Sequence, residues 1–243
     1  MRHLTTLLLL TLGLAIATPV LSQEKVEEGD ELQVFLDSFD EVIKSKDTDA
    51  VLAKIDRLLE LYLGEKVDEK EYKSVADRLG KAYNLDRNVV QIKVAGMFGN
   101  LGKVGARELL KASKDRSLKE ETKRDVYLAV VRSLGVTKDA AAMKALLGLL
   151  KDKDNDVIVA AAEALIHFQE TNDPTRKQIA GEMIKLLSSA FSGAKDPRQT
   201  ALVEKYDAMS VPFNNTLQAL TKASPGNPED WQKWFNENKK KRW

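Results

Sequence analysis

Asp152, Asp154 and Asp156, followed by Glu163, have the carboxylate spacing in this 243-residue chain that fits a bound cation. Acids at the first, third, fifth and twelfth places of a loop between two helices are how an EF-hand surrounds calcium. The sixth place calls for glycine to make a sharp turn, and Val157 stands there with a β-branched side chain that resists positive φ. If a helix begins near Asp156, Glu163 lies two turns further on, on the order of 10 Å away, and cannot close on the same ion. The acids then act as helix caps and dipole partners. Calcium binding by the Asp152–Glu163 loop is carried as an alternative function.

Other residue types offer less chemistry. Glycines at 96, 99, 102 and 105 match neither the dinucleotide fingerprint nor the phosphate loop, since Val104 follows Gly102-Lys103 where serine or threonine is needed. Close helix packing and a helix end at Gly102 are expected instead. His167 flanks an apolar stripe, and one imidazole makes neither a metal cluster nor a triad. Glu120 and Glu121 point along different helix faces and read as solvated. No cysteine is present, which removes disulfides, zinc ribbons and thiol nucleophiles. No catalytic residue, metal or cofactor is assigned, and the chain is expected not to be an enzyme; a catalytic cleft invisible in sequence is an alternative.

Trp231, Trp234 and Phe235 are the binding candidates. Their three-and-four spacing puts them on one helix face, where they could stack on bases, fill a partner's groove or, beside Lys239 to Arg242, enter a membrane interface. The competing reading docks them on the preceding helices as a cap on the core, with Trp243 exposed beyond the basic residues. The whole chain has 38 basic and 37 acidic residues, so no long-range field draws it to nucleic acid.

The elements that must position these residues are helices. Val157, Ala160, Ala161, Ala164, Leu165 and Phe168 follow an acidic turn at helical spacing, and Met143, Leu146, Leu147, Leu149 and Leu150 form a short apolar helix just upstream. The short connection makes the two an antiparallel hairpin. Laying Val90, Val94, Met97, Phe98 and Leu101 over Tyr127, Val130, Val131 and Leu134 gives a step of 33, and Leu134 to Phe168 gives one of 34. Further helices are expected from Leu32 to Ile43, from Val51 to Tyr62 ending at Gly64, from about Asp68 to Ala82, and from Asp173 to Phe191. Two more are expected from about Arg198 to Met209 and from Val211 to Lys222, and a last one from Glu229 to Lys239.

The stretch Asp154-Asn-Asp-Val-Ile-Val-Ala-Ala-Ala-Glu-Ala-Leu165 resembles the second helix of HEAT-type repeats, V-x-x-A-A-x-x-A-L-x-x-L-G after an acidic turn. Ile158 stands where that family often has arginine, and Lys123 where the middle copy's leading valine would be, so the usual Asp-Arg ladder between repeats is not expected. The ending L-T-x(6)-P-x-x-W-x-x-W-F is similar to the tail of some secreted bacterial HEAT-like proteins. The resemblance implies an all-α, right-handed stack of antiparallel helical hairpins, an armadillo/HEAT-type α-solenoid, and by itself no activity.

Four segments follow. Residues 1–22 read as a secretory signal, with Arg2 and His3 before an apolar run and small residues before a cut after Ser22, or else after Ala17. Residues 23–30 are a polar lead-in, 31–223 the HEAT-like solenoid, and 224–243 a Pro/Gly link, a capping helix with its tryptophans, and a basic tail. The expected product is exported, periplasmic or secreted, and binds another protein or peptide. The membrane-surface adaptor is a third alternative.

Overall fold

The computed structural model describes residues 28–243. The signal and residues 23–27 of the lead-in lie outside them. Among the described residues there are eleven α-helices and no strands: α1 (Glu28–Ser45), α2 (Thr48–Leu63), α3 (Tyr72–Tyr83), α4 (Asn88–Asn100), α5 (Gly102–Ala112), α6 (Arg124–Val136), α7 (Ala140–Leu149), α8 (Asn155–Leu165), α9 (Asp173–Ala194), α10 (Thr200–Thr221) and α11 (Pro228–Asn238). Helix α1 opens inside the expected lead-in, so Glu28 to Asp30 are helical rather than irregular.

Local chemistry starts these helices. Asp47 accepts from the amides of Asp49 and Ala50, Asp139 from Ala141 and Ala142, Asp154 from Asp156, Asn172 from Thr175, and Asn227 from Asp230. Each short oxygen-bearing side chain satisfies amides that the first turn leaves without a partner. The ends differ from expectation at Gly64, which keeps φ −82° while Glu65 takes the left-handed conformation at φ 57°.

Packing follows the chain in two rows. Helices α1, α3, α5 and α7 touch in succession, as do α2, α4, α6, α8 and α10, while α1–α2, α3–α4, α5–α6, α7–α8 and α9–α10 join the rows. The apolar face of each even helix is sealed: Val94, Val130, Ala161, Leu165 and Phe213 have almost no exposure. Helices α4, α6 and α8 start at residues 88, 124 and 155, so the structural steps are 36 and 31. The sequence alignment at 33 and 34 is thus slipped by three residues each time. A three-residue slip turns a helix by only about 60°, so the apolar pattern scarcely registers it. In the structural register Val90, Val126 and Val157 share the third helical position and are all buried. Val126, not Lys123, is the middle copy's leading valine.

Glycine sets how closely the even helices approach. A Cβ on Gly135 would lie 2.1 Å from the Ala164 carbonyl oxygen, and one on Gly99 would lie 3.1 Å from the Val136 side chain. Both occupy the twelfth position of their helices, and each faces the next even helix. Gly102 has φ 51° at the α4–α5 corner, and Gly96 faces open space.

Pro212 does not divide its segment. The two helices expected around it are one, α10, whose buried Met209, Phe213, Leu217 and Leu220 run straight through the proline. An interior proline costs a helix about 3 kcal/mol. Burial against α8 and α9 outweighs it, and the Thr216 hydroxyl adds a 2.9 Å bond to the Ala162 carbonyl of α8.

Substitutions at the two kinds of glycine should separate sharply in urea denaturation. Gly135→Ala must push α6 off α8 and should cost about 1–3 kcal/mol. Gly96→Ala meets no neighbour and should stabilise by about 0.5–1 kcal/mol through helix propensity alone.

Candidate functional site

The acidic loop is tied to arginine. Arg124, the first residue of α6, reaches across to Asp154 at 2.7 Å and to Asp156 at 2.6 Å, and Arg132 holds Glu163 at 2.9 Å. Asp154 also caps α8. Partial burial raises the Asp154 pKa, but the Arg124 bond and the capping amides more than offset this and leave it lowered. Asp154 and Asp156 thus share Arg124, Glu163 is held by Arg132, and Asp152 accepts from the Asp154 amide, so the four acids of the calcium alternative do not converge on one point. Among the described residues no group of three or more His, Cys, Asp or Glu side chains is placed to hold a metal.

These pairs belong to a ladder that the departures at Ile158 and Lys123 argued against. Lys93 meets Asp56 at 2.6 Å, Lys123 meets Asp86 at 2.6 Å, and Arg124 and Arg132 reach α8 and its capping turn. Asp40 of α1 takes both Arg78 and Lys81 of α3. Hydrogen bonding to Lys81 lowers the Asp40 pKa, and hydrogen bonding to Lys123 lowers that of Asp86. The basic partner sits at the start or on the outer face of a helix, not beside the leading valine.

Trp231, Trp234 and Phe235 are brought together on α11 as their spacing predicts, but facing inward onto α9. Trp231 has 0% exposure and donates its indole N–H to the Asn214 side chain of α10 at 2.6 Å, so it is unavailable to a partner. Phe235 lies against Gly181 of α9, where a Cβ would come within 3.1 Å of its ring. Trp234 is half-buried, edge-on to Trp231 at 6.0 Å and to Trp243 at 5.3 Å. Trp243 is not exposed as expected. Its amide donates to Asp173 at 3.0 Å, its carbonyl accepts from Arg176, and its indole N–H reaches the Asn238 carbonyl at 3.1 Å. The tail folds back because an indole beside another indole loses apolar exposure while its polar atoms stay bonded.

No family model matches this chain, and no curated protein matches it.

His167 lies on the 3₁₀ turn Ile166–Phe168, and its pKa is lowered, first by the protein atoms that displace water from the ring and then by the Lys138 charge. It touches no catalytic partner. Beside a cavity of about 170 Å³ between α3 and α5, the Tyr83 hydroxyl is buried without a hydrogen-bond partner, and burial pushes its pKa up to about 12.

The surface that sequence reasoning missed is the outer face of α4, α6 and α8. Arg132 and Glu163 are the ninth residues of α6 and α8 and are paired, so equal positions lie side by side. Four residues earlier stand Ile92, Leu128 and Val159, a line across the three helices in which Leu128 is buried, Val159 is half-buried and Ile92 is open, with Val89 and Gly96 exposed at its edge. Ile92 and Val89 are 37% and 55% exposed. The slipped alignment hid the line, because at steps of 33 and 34 these three residues do not coincide.

The ion pairs give a pH signature. A lowered Asp154 pKa means the carboxylate stabilises the fold above the ordinary carboxylate range, and that contribution is lost as pH falls through the lowered value. Arg124→Met should therefore lower Tm at pH 7 and converge with the parent near about pH 2 in thermal melts. Millimolar calcium should leave the parent Tm unchanged, since a ligand that does not bind the native state cannot stabilise it.

Proposed function

We propose that the chain is an exported scaffold, a right-handed stack of antiparallel helical hairpins of HEAT-like type, that binds another protein or peptide across the α4–α6–α8 face. The two rows of successive helix contacts support the stacked arrangement, because hairpins that each touch only their neighbours would pack in this way. The V-x-x-A-V-x-x-S-L-G run from Val126 to Gly135 adds to the likeness once the register is corrected. The apolar composition of residues 1–22 supports export, and no described helix is long and apolar enough to cross a membrane.

The observation that carries the binding role is the open apolar side chains of Val89 and Ile92, continued by half-buried Val159 over the buried Leu128. Charged side chains around it are mutually neutralised, Lys93 with Asp56 and Arg132 with Glu163, so the face offers apolar contact bounded by satisfied ion pairs. Interface centres have this character, depleted in free charge and rimmed by polar groups. A partner peptide with apolar side chains at helical spacing would fit it.

Two measurements test this reading. A compact globule of this length would have a radius of gyration of about 17 Å, and small-angle scattering of a stack should exceed that figure clearly. Partners captured from the native envelope fraction should be lost with Ile92→Asp/Val159→Asp while Trp234→Ala retains them. Retention by the double variant, with an unchanged melt, would remove the face from consideration.

A further inference from the structure

The C-terminal corner differs in kind from the α4–α6–α8 face. Residues 233–243 carry five cations against Glu237 alone, while the whole chain carries only +1, so the remainder of the molecule is net negative. Lys233, Lys239, Lys240, Lys241 and Arg242 are all exposed, and none joins an ion pair among the described residues. About half of the cations elsewhere among the described residues are matched, as in the ladder, and what sets this corner apart is five of them within eleven residues beside a single acid.

The cluster is also held in place. Lys177 of α9 donates to the Lys241 carbonyl, and the Trp243 amide and carbonyl are tied to Asp173 and Arg176. The charges therefore stand on a fixed turn at the α9 N-terminus, itself the positive end of a helix of 22 residues. We infer that this corner docks the protein electrostatically on an anionic phospholipid surface, with Lys239 to Arg242 as the contact and the negative remainder of the molecule turned away.

A membrane suits the corner better than nucleic acid does. Stacking on bases needs an open aromatic face, and here Trp243 stands edge-on to Trp234 with the Lys177 ammonium 5.6 Å from its ring centre. A handful of clustered cations on a small area is enough for a charged bilayer, whereas a nucleic-acid strand is tracked along an extended groove. The inference concerns a different surface from the α4–α6–α8 face and does not depend on it.

The test is co-sedimentation of the full chain with phosphatidylcholine vesicles containing about 30% phosphatidylglycerol, against phosphatidylcholine alone. Binding should require the anionic lipid and be released between about 50 and about 500 mM salt, as screening shortens the reach of the charges. Lys240→Glu/Arg242→Glu changes two exposed side chains that make no hydrogen bond, and should weaken binding about tenfold or more without moving the melt. Lys233→Glu, on α11 itself, should weaken it about fivefold and gives a second reading if the double variant disturbs the tail. Lys103→Glu/Arg107→Glu on α5 should leave binding unchanged. The inference is overturned by equal binding to neutral vesicles, by no binding to either, by full binding of the folded tail variants, by an equal loss in the α5 variant, or by tighter binding of a single-stranded oligonucleotide than of the anionic vesicles.

Discussion

The contact on which the rest of the structure depends is the apolar seam between successive even helices, α4 on α6, α6 on α8, and α8 on α10. Its side chains are small to medium: valines on α4 and α6, then Ala160, Ala161, Ala162 and Ala164 on α8. Small side chains bury little area each, so the helices must come close for the seam to exclude water. Gly135 permits that at α8, where its missing Cβ leaves room for the Ala164 carbonyl. The Thr216 bond to Ala162 serves the next interface, satisfying a hydroxyl that close packing would otherwise strand.

The ion pairs do a different job. Exposed pairs of this kind contribute roughly 0–1 kcal/mol each, too little beside the seam to hold helices together. They are nonetheless placed to select register. Sliding α8 past α6 by one turn would part Arg132 from Glu163 and Arg124 from Asp154 together, and would also take the Ala164 carbonyl out of the room that Gly135 leaves for it. Apolar burial fixes that the helices pack, and charge, together with the close seat at Gly135, fixes where along their length. The slip of three residues in the sequence alignment is the same ambiguity met from the other side: the apolar period alone does not distinguish neighbouring turns, and the charged residues do.

This division explains what could be read in advance. Helix existence, the acidic cap at Asp154 and the inward faces follow from period and local hydrogen bonding, which one chain segment contains by itself. Pro212 defied local reading because burial on α8 and α9 is a long-range term that outweighs a local cost. Trp243 defied it too, since its partners Asp173 and Arg176 lie some 70 positions earlier in the chain. Trp231, Trp234 and Phe235 were correctly grouped, yet grouping does not say which way a face points. Their direction is decided by Gly181 and Asn214 on other helices. The line of Ile92, Leu128 and Val159 needed the true register before its members could be seen as neighbours.

The two surfaces left open differ in the physics they can use. Around Ile92 and Val159 the charges are paired off, so recognition there would rest on apolar shape and change little with salt. At the tail the apolar rings are already spent on one another and on α9, and what faces outward is charge. Charge acts at a distance and without shape, whereas an apolar face acts only on contact. A molecule with both can be oriented on one kind of surface while it holds another kind of partner, and because the corner is set by α9 and α11 and the face by α4, α6 and α8, neither use disturbs the other's packing.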